Sequence, residues 1–214
     1  MIEVLTSSLP MLLKGLGTTL LLSVAAMMGS TLLGLLAAVL RTSRLSVTRK
    51  IALFYIELFR GTPVLITLMF IYFGVAYLGY DINLFAAGII GLSIYQGAYI
   101  AEIFRAGIEA VPKGQWEVAW ILGLSKRQTF VSVILPQTRG IVLPPLVGQY
   151  LSLIKDTSIV SMIGMSELMH QGQVIVDRIG QPVVIYGLVA LLYFAVCFPL
   201  SHWVQRHQVR SQLS

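Results

Sequence analysis

Residues 15–40, 61–80, 82–101 and 179–205 contain no Asp, Glu, Lys or Arg. A helix crossing a hydrocarbon layer ~30 Å thick needs about 20 predominantly apolar residues, and each of these runs supplies them. Backbone N–H and C=O groups in lipid must be satisfied within the chain, so such runs span as helices. A further region, 128–154, is apolar except for Arg139 and is interrupted by Pro136, Pro144 and Pro145. It reads as one more span over about 140–160 with an amphipathic lead-in. Only 11% of the 214 residues are charged and 57% are hydrophobic, whereas a soluble domain carries ~25% charged residues. The expectation is an all-α integral membrane protein with about five transmembrane helices, near 15–40, 52–78, 83–106, 140–160 and 181–204, in a single domain over 1–214.

No basic residue precedes Lys14, and the run after it exceeds the about 7–15 apolar residues of a signal core, so the first span is expected to stay in the protein. The single cysteine, Cys197, excludes an intrachain disulfide and reads as an apolar residue of the last span.

The net charge of +6 suits nucleic acid less well than topology, because the basic residues cluster between apolar runs. Arg41, Arg44, Arg49 and Lys50 follow the first run; Arg105, Lys113, Lys126, Arg127 and Arg139 follow the third; Arg206 and Arg210 lie in the tail. The opposite side holds Lys14, Asp81, Asp156, Glu167, Asp177 and Arg178. The positive-inside bias then places the N-terminus outside and the C-terminus in the cytoplasm. In the first span Ala26, Ser30, Gly34 and Ala38 recur every fourth residue. Such a strip forms a packing seam against another span or another subunit, or simply reflects how common small residues are in membrane helices.

The segment 112–136 is polar and turn-rich. Pro112 suits a first helical turn, Gly123 a left-handed helix end, and Ser125 with Gln128 has the spacing of a capping box. Trp116, Val118, Ala119 and Trp120 make its first helix short and apolar. A helix of this length is marginal in water by itself and must dock, against its own protein, the headgroups or a soluble partner.

Glu117, Val118, Ala119, Gly123, Leu135 and Pro136 stand at the spacing of the pattern E-A-A-x3-G-x9-I-x-L-P. This segment resembles the EAA loop of permease subunits in ATP-binding-cassette importers, departing from it at Val118 and Val133. "ELFRGTP", "YIAEIFRAGIEAVPKGQWEVA", "ILPQ" and "LIKDTSIVSMIGMSEL" extend the likeness over nearly the whole chain, and together they resemble the polar amino-acid uptake branch. The resemblance implies that the loop is a cytoplasmic coupling helix between spans three and four, docking on an ATPase dimer. Glu117, Val118, Ala119 and Gly123 would form the docking helix and its end, while Leu135 and Pro136 close the loop against the membrane.

It further implies a bacterial inner membrane location among membrane lipid, a second identical or homologous permease subunit, an extracytoplasmic substrate-binding protein and an amino-acid substrate. Import would then proceed by alternating access. The chain is expected to be no enzyme and to hold no cofactor or metal: no lysine is followed by Ser or Thr as a P-loop requires, so ATP and Mg belong to the partner. His170, His202 and His207 are scattered. The alternative is an ion-coupled secondary transporter or channel working without an ATPase, disfavoured by the scarcity of intramembrane carboxylates.

A charge within a span costs about 2.5–3.5 kcal/mol and marks function or a buried pair. Counted from a span start near Ile51, Arg60 lies ~14 Å along the helix, near mid-membrane, just before a kink at Pro63. Glu57 stands three residues earlier and could neutralise it, as Glu102 could Arg105. An amino-acid zwitterion needs a cationic partner and an anionic one. Arg60 reads as a contact for a substrate carboxylate or as part of a gate, and "LIKDTS" as a cavity wall or as a helix-ending polar turn at the outer interface. The candidate substrate residues are Glu57, Arg60, Gln96, Lys155, Asp156, Thr157 and Ser158, with Gln96 and the further lining residue Tyr99 singled out only by their polarity within an apolar run.

Overall fold

The computed structural model describes the backbone of residues 2–43 and 45–212 and the side chains of residues 8–43 and 45–202. Arg44 and the side chains of Arg206, His207 and Arg210 lie outside the described residues. Among the described residues four helical stretches are long and apolar enough to cross a membrane, and a sharply bent pair counts as a fifth if its two helices form one broken span.

Helix α1 (Ile2–Arg41) carries the strip of small residues, and that strip packs within the chain, on α4 (Leu84–Glu109). Ala26 and Ser30 are fully buried. A Cβ on Gly34 would stand 2.6 Å from Cγ2 of Ile100, so only glycine admits this approach. Lipid offers no hydrophobic drive for helices to associate, and close backbone approach through small residues takes its place. The opposite face of α1 presents Leu21, Met28, Leu32 and Val39 outward.

Where the sequence predicts one kinked span over 52–78, the chain breaks into α2 (Ser46–Gly61) and α3 (Val64–Tyr77), bent by 110°. Pro63 has no N–H to continue the helix and drives Thr62 into extended backbone (φ −116°, ψ 151°). Hydroxyls bond carbonyls beside the break: Thr62 donates to Leu58 O (2.9 Å) and Tyr99 to Arg60 O (3.4 Å). Because α2 and α3 are bent by 110°, they cannot both run along the membrane normal, and the ~14 Å counted along α2 to Arg60 is a distance along that helix rather than a depth. Arg60 sits level with Tyr99 and Glu102 of α4. Glu102 is about 10 Å of helix from the C-terminal end of α4.

After α5 (Lys113–Ile121), the one-turn α6 (Lys126–Gln128), a π-helical turn (Thr129–Ile134), α7 (Leu135–Asp156) and a 3-10 segment (Thr157–Ile163) follow one another end to end. Together they make a stretch of 38 residues, Lys126–Ile163, longer than the expected span 140–160. The widened π turn ends where the Leu135 N–H reaches back to Phe130 O, immediately before Pro136, which has no N–H to give. Pro144 and Pro145 are accommodated inside α7.

Helices α8 (Leu168–Ile179) and α9 (Pro182–Gln212) close the fold. Glu167, fully buried, ties both to α1. It caps α8 by accepting from the His170 N–H (2.8 Å) and also accepts from the hydroxyls of Thr19 (3.2 Å) and Tyr193 (3.0 Å). Burial pushes its carboxyl above the ordinary carboxylate range, against the pull of these donors. The folded chain therefore holds this proton more tightly than the unfolded chain. That contribution is full below the unfolded value of about 4.3 and is lost as pH rises through the raised folded value. Replacing Glu167 with Ala strands two hydroxyls and a cap, and is expected to cost about 2 kcal/mol. A lower thermal unfolding temperature in detergent would register it. Glu167→Gln keeps an acceptor and removes the pH slope; an unchanged slope in that variant would contradict this account.

Candidate functional site

A chain of polar side chains crosses from α7 to α4 in the middle of the apolar bundle. Gln149 of α7 donates to Gln96 of α4, and Gln96 Nε2 donates to Asp156 Oδ2 at 2.6 Å. Gln96 is fully buried. Its amide satisfies both neighbours at once, the carbonyl accepting and the NH2 donating, so its orientation is fixed by the pair. Asp156, half-buried at the end of α7, accepts the bond from Gln96 and forms no salt bridge among the described residues.

Gln149 also lines a cavity of about 260 Å3 that contains Arg60, Tyr99 and Glu102. The guanidinium of Arg60 lies 5.7 Å from the Tyr99 ring centroid, a cation–π contact, and 3.8 Å from Glu102. Arg60 and Asp156 are thus linked through one cavity wall, Gln149, and one amide, Gln96.

Glu102 gathers the ends of three helices. It receives Arg41 of α1 at 2.7 Å, Arg105 of its own helix through Nε at 2.9 Å, and Arg60 of α2. Arg105 bonds Glu109 as well. The expected Glu102–Arg105 pair is therefore present within a larger cluster. The expected Glu57–Arg60 pair is absent: Glu57 faces outward, and Arg60 turns to the neighbouring helix where Glu102 is half-buried.

The "LIKDTS" residues are divided rather than gathered. Lys155 and Ser158 line a different cavity, of about 380 Å3, against Tyr193 and Cys197 of α9. Thr157 is buried and its hydroxyl bonds Ile154 O at 2.6 Å. Successive residues on a helix point about 100° apart, so Lys155 and Asp156 cannot share one pocket wall. Of the expected substrate residues, Gln96 and Asp156 are bonded to each other and connect through Gln149 to the cavity that Arg60 lines; Glu57, Lys155, Thr157 and Ser158 do not join them. Gln149 went unread, although an amide inside an apolar run, the signal that singled out Gln96, was equally present.

The other candidate surface is the loop at 112–136. Pro112 is the residue before α5, and Gly123 adopts φ +77°, a left-handed conformation that L side chains adopt only with strain. The capping box is formed: Ser125 Oγ accepts from the Gln128 N–H (3.3 Å), and Gln128 Oε1 accepts from the Ser125 N–H (2.9 Å). Ala119 is buried against the protein, whereas Glu117, Val118, Ile121 and Leu122 project into the surroundings. Ile121 is 83% exposed and Leu122 72%, an apolar tip on a polar segment. Leu135 and Pro136 form the first turn of α7.

A family profile described as "Binding-protein-dependent transport system inner membrane component" matches residues 30–213. The chain is 43% identical over 190 residues to "Probable amino-acid ABC transporter permease protein YckA" of Bacillus subtilis (strain 168), covering 89% of this chain and 84% of the relative. It is 37% identical over 208 residues to "Glutamine transport system permease protein GlnP" of Escherichia coli (strain K12), covering 96% and 95%. Among solved structures, "Crystal structure of an amino acid ABC transporter with histidines" superposes with a TM-score of 0.92 at 34% identity, covering 96% of each chain. An ion-coupled transporter or channel finds no support among these relatives. The elbowed helix pair, the polar relay in mid-bundle and the capped loop with its apolar tip thus sit in a chain that belongs to the family of inner membrane components of binding-protein-dependent transport systems.

Proposed function

We propose that this protein is the permease subunit of an ATP-driven amino-acid importer, in which Arg60 and Asp156 receive the two charges of the substrate. The observation that carries the reading is the linked pair of opposite charges. Arg60 in the 260 Å3 cavity suits a carboxylate, and Asp156 suits an ammonium, with Gln149 and Gln96 between them. Amides in that position accept from the ammonium or donate to the carboxylate without adding charge. Names of close relatives, which carry amino acids, support the substrate class.

The segment from Glu117 to Pro136, with Val118, Ala119, Gly123 and Leu135, is the surface on which a cytoplasmic ATPase dimer docks and delivers the stroke of alternating access. ATP and Mg act on that partner. A second permease subunit completes the pathway, and an extracytoplasmic binding protein delivers the substrate. The basic ends of α1 and α4, with Arg41 and Arg105, lie on the cytoplasmic side, which leaves the N-terminus outside.

Proteoliposomes holding the permease, its ATPase and its binding protein are expected to take up amino acids only with ATP inside and binding protein outside. Assayed across a panel of amino acids, uptake should favour one chemical class. Equal uptake with the ATPase omitted would overturn the reading.

A further inference from the structure

On the flank of α7 away from the polar cavity, α1 and α7 diverge and leave a groove of about 470 Å3. Its walls are Leu35 of α1 and Leu143 of α7, and its floor is Phe104 and Ile108 of α4. Trp116 of α5 closes one end, and Arg139 is part of the lining. Among the described residues no carboxylate lies within ion-pair distance of Arg139. An apolar trough with one free guanidinium matches a molecule with an apolar chain and an anionic head.

The rim differs from the surfaces by which this chain packs helix on helix. Where α1 meets α4 the contact is made by Ala26, Ser30 and Gly34, whereas on the groove side α1 presents the exposed Leu35 and Val39. Branched aliphatic side chains keep another backbone at a distance, and they are the surface that acyl chains cover. Arg139 lies four residues into α7 and immediately before the span expected over 140–160, the position at which headgroups of that leaflet would stand, and the cytoplasmic leaflet is the one rich in anionic lipid.

We propose that this groove holds one acyl chain of an anionic phospholipid of the inner leaflet, its phosphate paired with Arg139, and that the chain forms part of the contact between α5 and the spans. Because the groove is lined both by Trp116 and by α1, α4 and α7, its occupant touches the coupling helix and the membrane helices together. Motion of α5 is then passed on through packed hydrocarbon rather than across a void.

The inner-leaflet placement rests on the orientation proposed above. Lipid retention is read by mass and needs no transport, so its failure is distinct from failure of the importer reading. The purified permease–ATPase complex, taken from nanodiscs of phosphatidylcholine with phosphatidylglycerol, is examined by native mass spectrometry. Wild type is expected to retain phosphatidylglycerol. Arg139→Gln should retain about fivefold less, the weight of one basic residue at an anionic surface. Leu143→Trp, which fills the groove from an exposed position, should retain none there. ATPase stimulation by the binding protein should fall in discs of phosphatidylcholine alone for wild type, and be indifferent to phosphatidylglycerol in Arg139→Gln. Equal retention by all three proteins would overturn the proposal. So would a disulfide between two copies of a Leu143→Cys variant in place of retained lipid, since a second permease would then occupy the groove.

Discussion

Asp156→Ala is expected to reduce ATP-driven uptake about 100-fold while the complex with the ATPase still assembles. The carboxylate is held by Gln96 Nε2 at 2.6 Å and forms no salt bridge among the described residues, which leaves it open to a bound ammonium. A hydrogen bond to a charged partner, shielded from water, is worth up to about 3 kcal/mol, which is a factor of ~100. Gln96→Ala leaves the carboxylate in place but unaimed, and a loss of about tenfold is expected. The informative measurement is initial uptake rate against substrate concentration, with co-purified ATPase as the control for assembly. Wild-type uptake in both variants would remove the charge-pair site.

Ile121→Asp is the second large effect: association with the ATPase should weaken by ~30-fold or more, abolishing coupled transport. Ile121 and Leu122 stand almost fully exposed at the end of α5, where the turn through Gly123 fixes their direction. An apolar anchor buried at an interface contributes about 2 kcal/mol or more, and a carboxylate in its place must also be desolvated. Since the side chain touches little of its own chain, the fold should survive, and the unfolding temperature of the isolated permease should not change. Measured ATPase affinity equal to wild type would place the docking surface elsewhere.

The parts of this structure that are set by local chemistry were legible in the sequence. Long charge-free runs place the helices, Gly123 marks a left-handed end, and Ser125 with Gln128 marks a helix start. Pro63 announced a break but not its angle, because the 110° turn depends on what α2 and α3 pack against. The charged residues were harder to read for the same reason. Glu57 and Arg60 are neighbours on one helix face, yet Glu102 of another helix, half-buried and already holding two other arginines, draws Arg60 to itself. Lys155 and Asp156 adjoin in the chain and diverge in space, since a helix turns about 100° per residue. Pairing between spans is a property of the bundle, and one strand of sequence carries only half of it.

The cluster around Glu102 bears on what must not cross the membrane. Three guanidiniums, of Arg41, Arg60 and Arg105, meet two carboxylates, of Glu102 and Glu109, so the site keeps a positive surplus with every carboxylate engaged. A cell that drives import with ATP holds sodium and proton gradients across the same bilayer, and an aqueous opening through a carrier would short-circuit them. Fixed arginines beside a pathway raise the electrostatic barrier to small cations while leaving an overall neutral zwitterion much less opposed. Lying beside the pathway proposed above, the knot that joins three helix ends would, in those terms, also be an insulator.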